Sequence, residues 1–128
     1  MLSDRRAHAV LPVRDPQAAR PFYEDVLGLT PAGMSTIGVM YRAGDGSVFS
    51  LARSGGARSG THTQVVFTVP DVRAKVEELR ARGVAFEEYD LPGIRTVDGV
   101  ADVDGHLGAW FKDPEGNILG LFQFASGA

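Results

Sequence analysis

At 128 residues the chain has room for one domain with a substantial core. Its 44% hydrophobic and 23% charged content is ordinary for a globular protein, and a net charge of −3 with no basic block excludes a nucleic-acid footprint. With no cysteine there is no disulfide, thiolate nucleophile or cysteine zinc site, and no apolar run approaches a membrane span; no membrane partner and a cytoplasmic location are expected.

In chain order, residues 8–13 read as a short apolar strand, with Pro12 suited to an edge. Asp15-Pro16 turns the chain. Proline is tolerated in a helix only near its start, so the spacing predicts a helix beginning near Ala19 with Pro21 in its first turn. That helix would carry Phe22, Val26 and Leu27 inward and stop at Gly28. Residues 37–41 and 47–52 follow as strands around Ala43-Gly44-Asp45-Gly46, a hairpin signal. The Gly-, Ser- and Arg-rich residues 54–61 read as a linker. Residues 64–69 are the next strand, and Asp71 caps a helix whose Val72, Val76 and Leu79 recur at helical spacing. Glu78 and Arg82 can pair on its wet face, and Gly83 ends it. Residues 84–88, 107–112 and 118–124 complete the strands. Residues 91–105, with Pro92-Gly93 and Asp98-Gly99, form a long loop or a ragged strand pair.

The order strand, Asp, helix, Gly occurs twice, first at Asp15 and Gly28, then at Asp71 and Gly83. Two copies are too few for a solenoid, so the chain reads as an α+β domain, 1–128, of two βαβββ modules. Module one covers about 5–53, the linker 54–61 and module two about 62–125. Each module's sheet has one face on its own helix, and two such sheets can curve around a shared cavity.

These residues resemble the vicinal oxygen chelate superfamily, the glyoxalase/bleomycin-resistance/extradiol-dioxygenase group. The resemblance rests on Leu11-Pro12-Val13-Arg14-Asp15, on Phe22-Tyr23-Glu24-Asp25-Val26-Leu27-Gly28-Leu29 and on Phe67-Thr68-Val69-Pro70-Asp71. It extends through Leu79-Arg80-Ala81-Arg82-Gly83-Val84 and the run from Phe111 to Leu121. In metal-using members, four positions on the cavity floor hold a divalent ion. The resemblance places them here at His8, Ser50, Gln64 and Gly120. One imidazole and one amide without a carboxylate make a poor ligand set, so no metal cofactor is expected.

Strand alternation groups His8, Val10 and Pro12 with Val48 and Ser50, and Gln64, Val66 and Thr68 with Ile118, Gly120 and Phe122. This set is largely apolar, as a small-molecule pocket would be. His8 is the one candidate for catalysis, Trp110 a further ligand contact, and Asp98 and His106 candidates for the edge of a lid formed by residues 91–105. Asp98-Gly99 and Asp104-Gly105 read more simply as turns than as a metal cluster around His106. The leading expectation is a homodimeric protein that binds a small, largely apolar molecule without the usual metal, for sequestration or for metal-free isomerase or lyase chemistry. One alternative is a metal-dependent glyoxalase-like lyase or dioxygenase using His8 and Gln64 with atypical ligands; another is a structural subunit with no ligand.

Overall fold

Among the described residues, both α-helices start from an aspartate that follows a strand. The computed structural model describes residues 1–54 and 62–125. The chain divides into two units, Met1–Arg58 and Ser59–Ala128, each with its own sheet. The expected linker lies outside the described residues except for Ser54.

In the first unit, β1 (Ala9–Val13) leads into α1 (Pro16–Pro21), and β2 (Thr30–Met34), β3 (Gly38–Arg42) and β4 (Val48–Arg53) follow. The sheet order is β1-β4-β3-β2, with β1 parallel to β4 and the other pairs antiparallel. The helix begins at Pro16 rather than near Ala19. Pro16 takes the first helical position, where a missing N–H leaves no bond unmade, and the Asp15 carboxylate accepts from the Gln17 and Ala18 N–H groups at 3.1 and 3.3 Å. Pro21 therefore closes the α segment. The next turn, Phe22–Val26, widens to π geometry, with the Leu27 N–H reaching the Phe22 carbonyl at 3.0 Å. The wider turn rotates the inward face, so Tyr23, not Phe22, is the fully buried aromatic. Its ring stacks on Tyr41 at 5.5 Å and packs on Phe49 at 5.9 Å, over Leu11, Val39 and Leu51. The strand β2 has no counterpart in the expected elements. Pro31 and Gly33 disguise it in the sequence, and its pairing with β3 shifts register between those two residues.

In the second unit, β5 (Thr63–Thr68) leads into α2 (Val72–Ala81), followed by β6 (Asp90–Leu91), β7 (Ile94–Val97), β8 (Val100–Val103), β9 (His106–Lys112) and β10 (Ile118–Gln123). The order is β5-β10-β9-β8-β7-β6, and again the first strand runs parallel to the last. The two units thus share the βαβββ plan, with a hairpin added at the far edge of the second. The Asp71 carboxylate caps α2 by accepting from the Ala74 N–H at 3.1 Å, and Val72, Val76 and Leu79 are buried beside Phe111, Leu119 and Leu121. Glu78 pairs with Lys75 at 2.6 Å, and Arg82 adds a smaller attraction that also lowers the Glu78 carboxyl.

Residues 84–88 do not form a regular strand; only Phe86 bridges to Phe111. Glu88 instead accepts from the Gly99 N–H and binds the Thr96 hydroxyl. Of the two readings of residues 91–105, the structure takes the stranded one, with β7 and β8 paired and β6 beside them. Of their three turns, Pro92-Gly93 joins β6 to β7, and the other two are Asp98-Gly99 (φ 54° and 83°) and Asp104-Gly105 (φ 55° and 86°). Positive φ at both central residues is the tight hairpin turn whose twist matches the flanking strands. The closing signature at Asp113-Pro114-Glu115-Gly116-Asn117 is also a hydrogen-bonded turn. The buried Asp113 carboxylate accepts from the Glu115 and Asn117 N–H groups at 2.9 and 2.8 Å and from the Asn117 amide at 2.9 Å.

Candidate functional site

In each unit the helix covers one face of the sheet, and no helix covers the other among the described residues. On the first unit's uncovered face, Ser50 stands between Val10 and Met40, its cross-strand partners. Val10 is 55% exposed. His8 precedes β1 and is exposed, and Val48 shares the face with Ser50. A groove of about 310 Å³ runs along this face between Met34, Ile37, Met40, Ser50 and Ala52. Met34 and Met40 did not figure among the expected contacts because β2 went unread. The signal that could have found them is Val39-Met40-Tyr41, a continuous apolar run of the kind that sits inside a sheet with a strand on either side.

On the second unit's uncovered face, β9 and β10 align in register, Trp110 opposite Gly120 and Phe122 opposite Gly108. The absence of side chains at the two glycines determines where the indole goes. A Cβ built on Gly120 would meet Trp110 Cδ1 at 3.3 Å and Nε1 at 3.4 Å; one built on Gly108 would meet the far edge of the same ring at 3.0 Å. The indole therefore lies across both glycines. Tyr89 packs against it in a T-shaped pair at 5.5 Å between ring centroids, and burial raises the Tyr89 phenol above its ordinary range, with Glu87 adding to the effect. Ile118 is buried on the same face.

At the start of β9, His106 stacks on Phe122 (6.0 Å, 17° between planes), and Phe124 packs edge-on against both rings. His106 Nδ1 accepts the Ala125 N–H at 2.9 Å, which puts the proton of the neutral ring on Nε2. Asp98 lies at the other end of β8, held to α2 through an Arg80 bond to its carbonyl at 3.0 Å and a 3.3 Å ion pair. The structure does not bring Asp98 and His106 together.

Gln64 falls at a register shift. Thr63 pairs with Ile118 and Val65 with Leu119, so no residue stands opposite Gln64. The bulge breaks strict alternation and lets Thr63 come to within 3.4 Å of the position a Gly120 Cβ would take. Val66 keeps its place opposite Gly120 and is 51% exposed. The Gln64 side-chain oxygen is buried and accepts no hydrogen bond from the described residues. An unmet acceptor of this kind costs on the order of 1–3 kcal/mol.

Of the four positions expected from the resemblance, His8 and Ser50 lie in the first unit and Gln64 and Gly120 in the second. An imidazole, a hydroxyl, an amide and a glycine do not fit a divalent cation, since no carboxylate offsets its charge. The space in front of Gly120 is taken by the indole. Among the described residues, no three His, Cys, Asp or Glu side chains are grouped to hold a metal elsewhere.

The sequence profile of the Glyoxalase/Bleomycin resistance protein/Dioxygenase superfamily matches residues 5–121. No curated protein matches the chain in sequence. Among solved structures, a bleomycin-binding protein from bleomycin-producing Streptomyces verticillus, complexed with copper(II)-bleomycin, is 23% identical, with 100% of both chains covered and a TM-score of 0.72. A glyoxalase/bleomycin resistance protein/dioxygenase from Nocardioides is 21% identical over 98% of this chain and 87% of its own, with a TM-score of 0.66. The genomically encoded fosfomycin resistance protein FosX from Listeria monocytogenes is 15% identical over 94% and 93%, with a TM-score of 0.67. At these identities the likeness is one of fold.

Proposed function

The chain belongs to the glyoxalase/bleomycin-resistance/dioxygenase superfamily, and from that premise we propose that it binds a small, largely apolar molecule without a resident metal, for sequestration or for metal-free isomerase or lyase chemistry. The observation that carries this reading is the Trp110 indole lying where a side chain at Gly120 would project. An indole gives an apolar contact surface and no metal ligand. Around it, Ile118, Val66 and Phe122 supply apolar area, while the Gln64 amide and His106 supply isolated polar points; this is the usual make-up of a small-molecule site. The bleomycin complex of the Streptomyces neighbour agrees with a ligand-binding role.

In the same reading His8 is a polar ligand contact, and the protein is a cytoplasmic homodimer, as small members of this superfamily pair. The exposed Val10, Met34 and Ile37 of the first unit support a partner surface, and light scattering at micromolar concentration tests it by mass. The decisive experiment is native mass spectrometry with elemental analysis of protein purified without chelator. The expected result is an organic species that co-purifies and divalent metal far below stoichiometric. Stoichiometric metal that disappears in His8→Ala would overturn the proposal and favour a metal-dependent lyase or dioxygenase.

A further inference from the structure

The uncovered face of the second sheet holds more than apolar area. Its aromatic rings are arranged in a line along two adjacent strands. Trp110, Gly108 and His106 alternate along β9, with Phe122 opposite Gly108. At about 3.3 Å per strand residue, Trp110 and His106 have their backbones some 13 Å apart. The indole shortens that gap because its far edge reaches back over Gly108, beside Phe122. Phe122 in turn carries the His106 ring stacked at 6.0 Å. No charged side chain stands on this row between its ends. The Ala125 N–H holds His106 Nδ1 as an acceptor, so Nε2–H remains a donor with no partner among the described residues.

We propose that the row of Trp110, Phe122 and His106 is a stacking site for a planar aromatic molecule of two or three fused rings carrying one hydrogen-bond acceptor, which the His106 Nε2–H takes. This rests on the reading of the protein as a metal-independent binder and deepens it by naming the ligand class. Flat rings are favoured for two reasons. The two glycines leave the indole lying across the strands, where a plane can rest on it, and ring-on-ring contact adds attraction beyond the area buried. A saturated molecule of the same outline gains the area but not that attraction. The acceptor requirement comes from the His106 donor, which the Ala125 N–H fixes in orientation at the end of the row.

The test compares 2-naphthamide with decahydro-2-naphthamide on the full chain. The two share the amide acceptor and similar bulk, and differ in aromaticity. Because Trp110 is the chain's sole tryptophan, its emission reports binding directly. The aromatic amide is expected to bind about three- to tenfold more tightly and to quench Trp110 saturably. Ligand-observed NMR on W110L and F122L should show that preference lost. In H106F, which keeps a ring but removes the donor, 2-naphthamide should weaken about fivefold while naphthalene itself is unchanged. Thermal melts establish that each variant is folded. Equal affinity for the two amides, absence of binding by both, or affinities unchanged in W110L and F122L overturns the stacking site. Equal affinity would still leave metal-independent apolar binding in place, whereas stoichiometric metal in the purified protein would remove that broader reading.

Discussion

At the scale of single residues, Gly120 and Trp110 act as a pair. The backbone at Gly120 is not in the left-handed region, so the glycine is needed for space and not for conformation. Gly120→Glu would supply a carboxylate of the family type but would also drive a Cβ to 3.3 Å from the indole and 3.4 Å from Thr63 Cγ2. Overpacking of this kind costs on the order of 1–3 kcal/mol. Urea unfolding should report that loss, and Trp110 emission should shift to the red as the ring is lifted into water. In the Trp110→Ala background the same substitution should cost much less, since neighbours that share space are not additive. Glu24 has an electrostatic rather than a steric role. Arg20 holds its carboxyl below the ordinary value near 4.5 through a paired hydrogen bond, and the Tyr41 hydroxyl donates to it at 2.9 Å. Because the folded state lowers this pKa, its contribution to stability is present above the ordinary value and is lost as pH falls through the lowered one. Stability measured from pH 6 down to pH 2 should fall less steeply in Glu24→Gln than in the parent.

Individual elements show what local chemistry can announce in advance. The two helix-capping aspartates, the two Asp-Gly hairpins and the Asp113–Asn117 turn are short-range devices, so their residues carry the signal by themselves. Asp113→Ala tests one of them. It removes the acceptor for two backbone N–H groups and for the buried Asn117 amide, and should cost about 2–3 kcal/mol by denaturant unfolding, with little effect on the helices seen by circular dichroism. Strand β2 and residues 84–88 depend on distant partners instead. A strand written Thr-Pro-Ala-Gly-Met has no propensity of its own; β3 recruits it. Residues 84–88 have strand propensity, yet Glu88 bonds the β7–β8 hairpin and the pairing shrinks to Phe86. Helix α1 starts earlier than Pro21 alone implies, because two prolines compete for its start and the Asp15 cap decides for Pro16. At the candidate site, alternation was sufficient to group Ser50 with Val10 and Gly120 with Phe122. It failed at Gln64, where one extra residue shifts the register, and it gave no warning that Trp110 would lie across two glycines.

For the whole molecule, the fold was the most legible level, because a motif written twice in one chain constrains architecture more than any single element does. The proposed function makes a prediction at this scale too. If the protein needs no resident metal, overnight treatment with excess EDTA should leave both its melting temperature and its affinity for 2-naphthamide unchanged; a drop in either would tie fold or binding to an ion. The parallel pairing of first strand with last has a consequence for synthesis. Leu11 meets Leu51 across roughly 40 residues of chain, and Val66 meets Gly120 across a longer span. At ribosomal rates of about 5–20 residues per second, β1 would wait on the order of 2–8 s for β4 to be made. Through that interval its Leu11 and Val13 side chains have no sheet to enter, and the nascent chain is at its most adhesive. The first unit can close its sheet once Arg53 has cleared the exit tunnel, before most of the second unit has been translated. A stalled or truncated product ending inside β4 would therefore be the species that chaperones must hold.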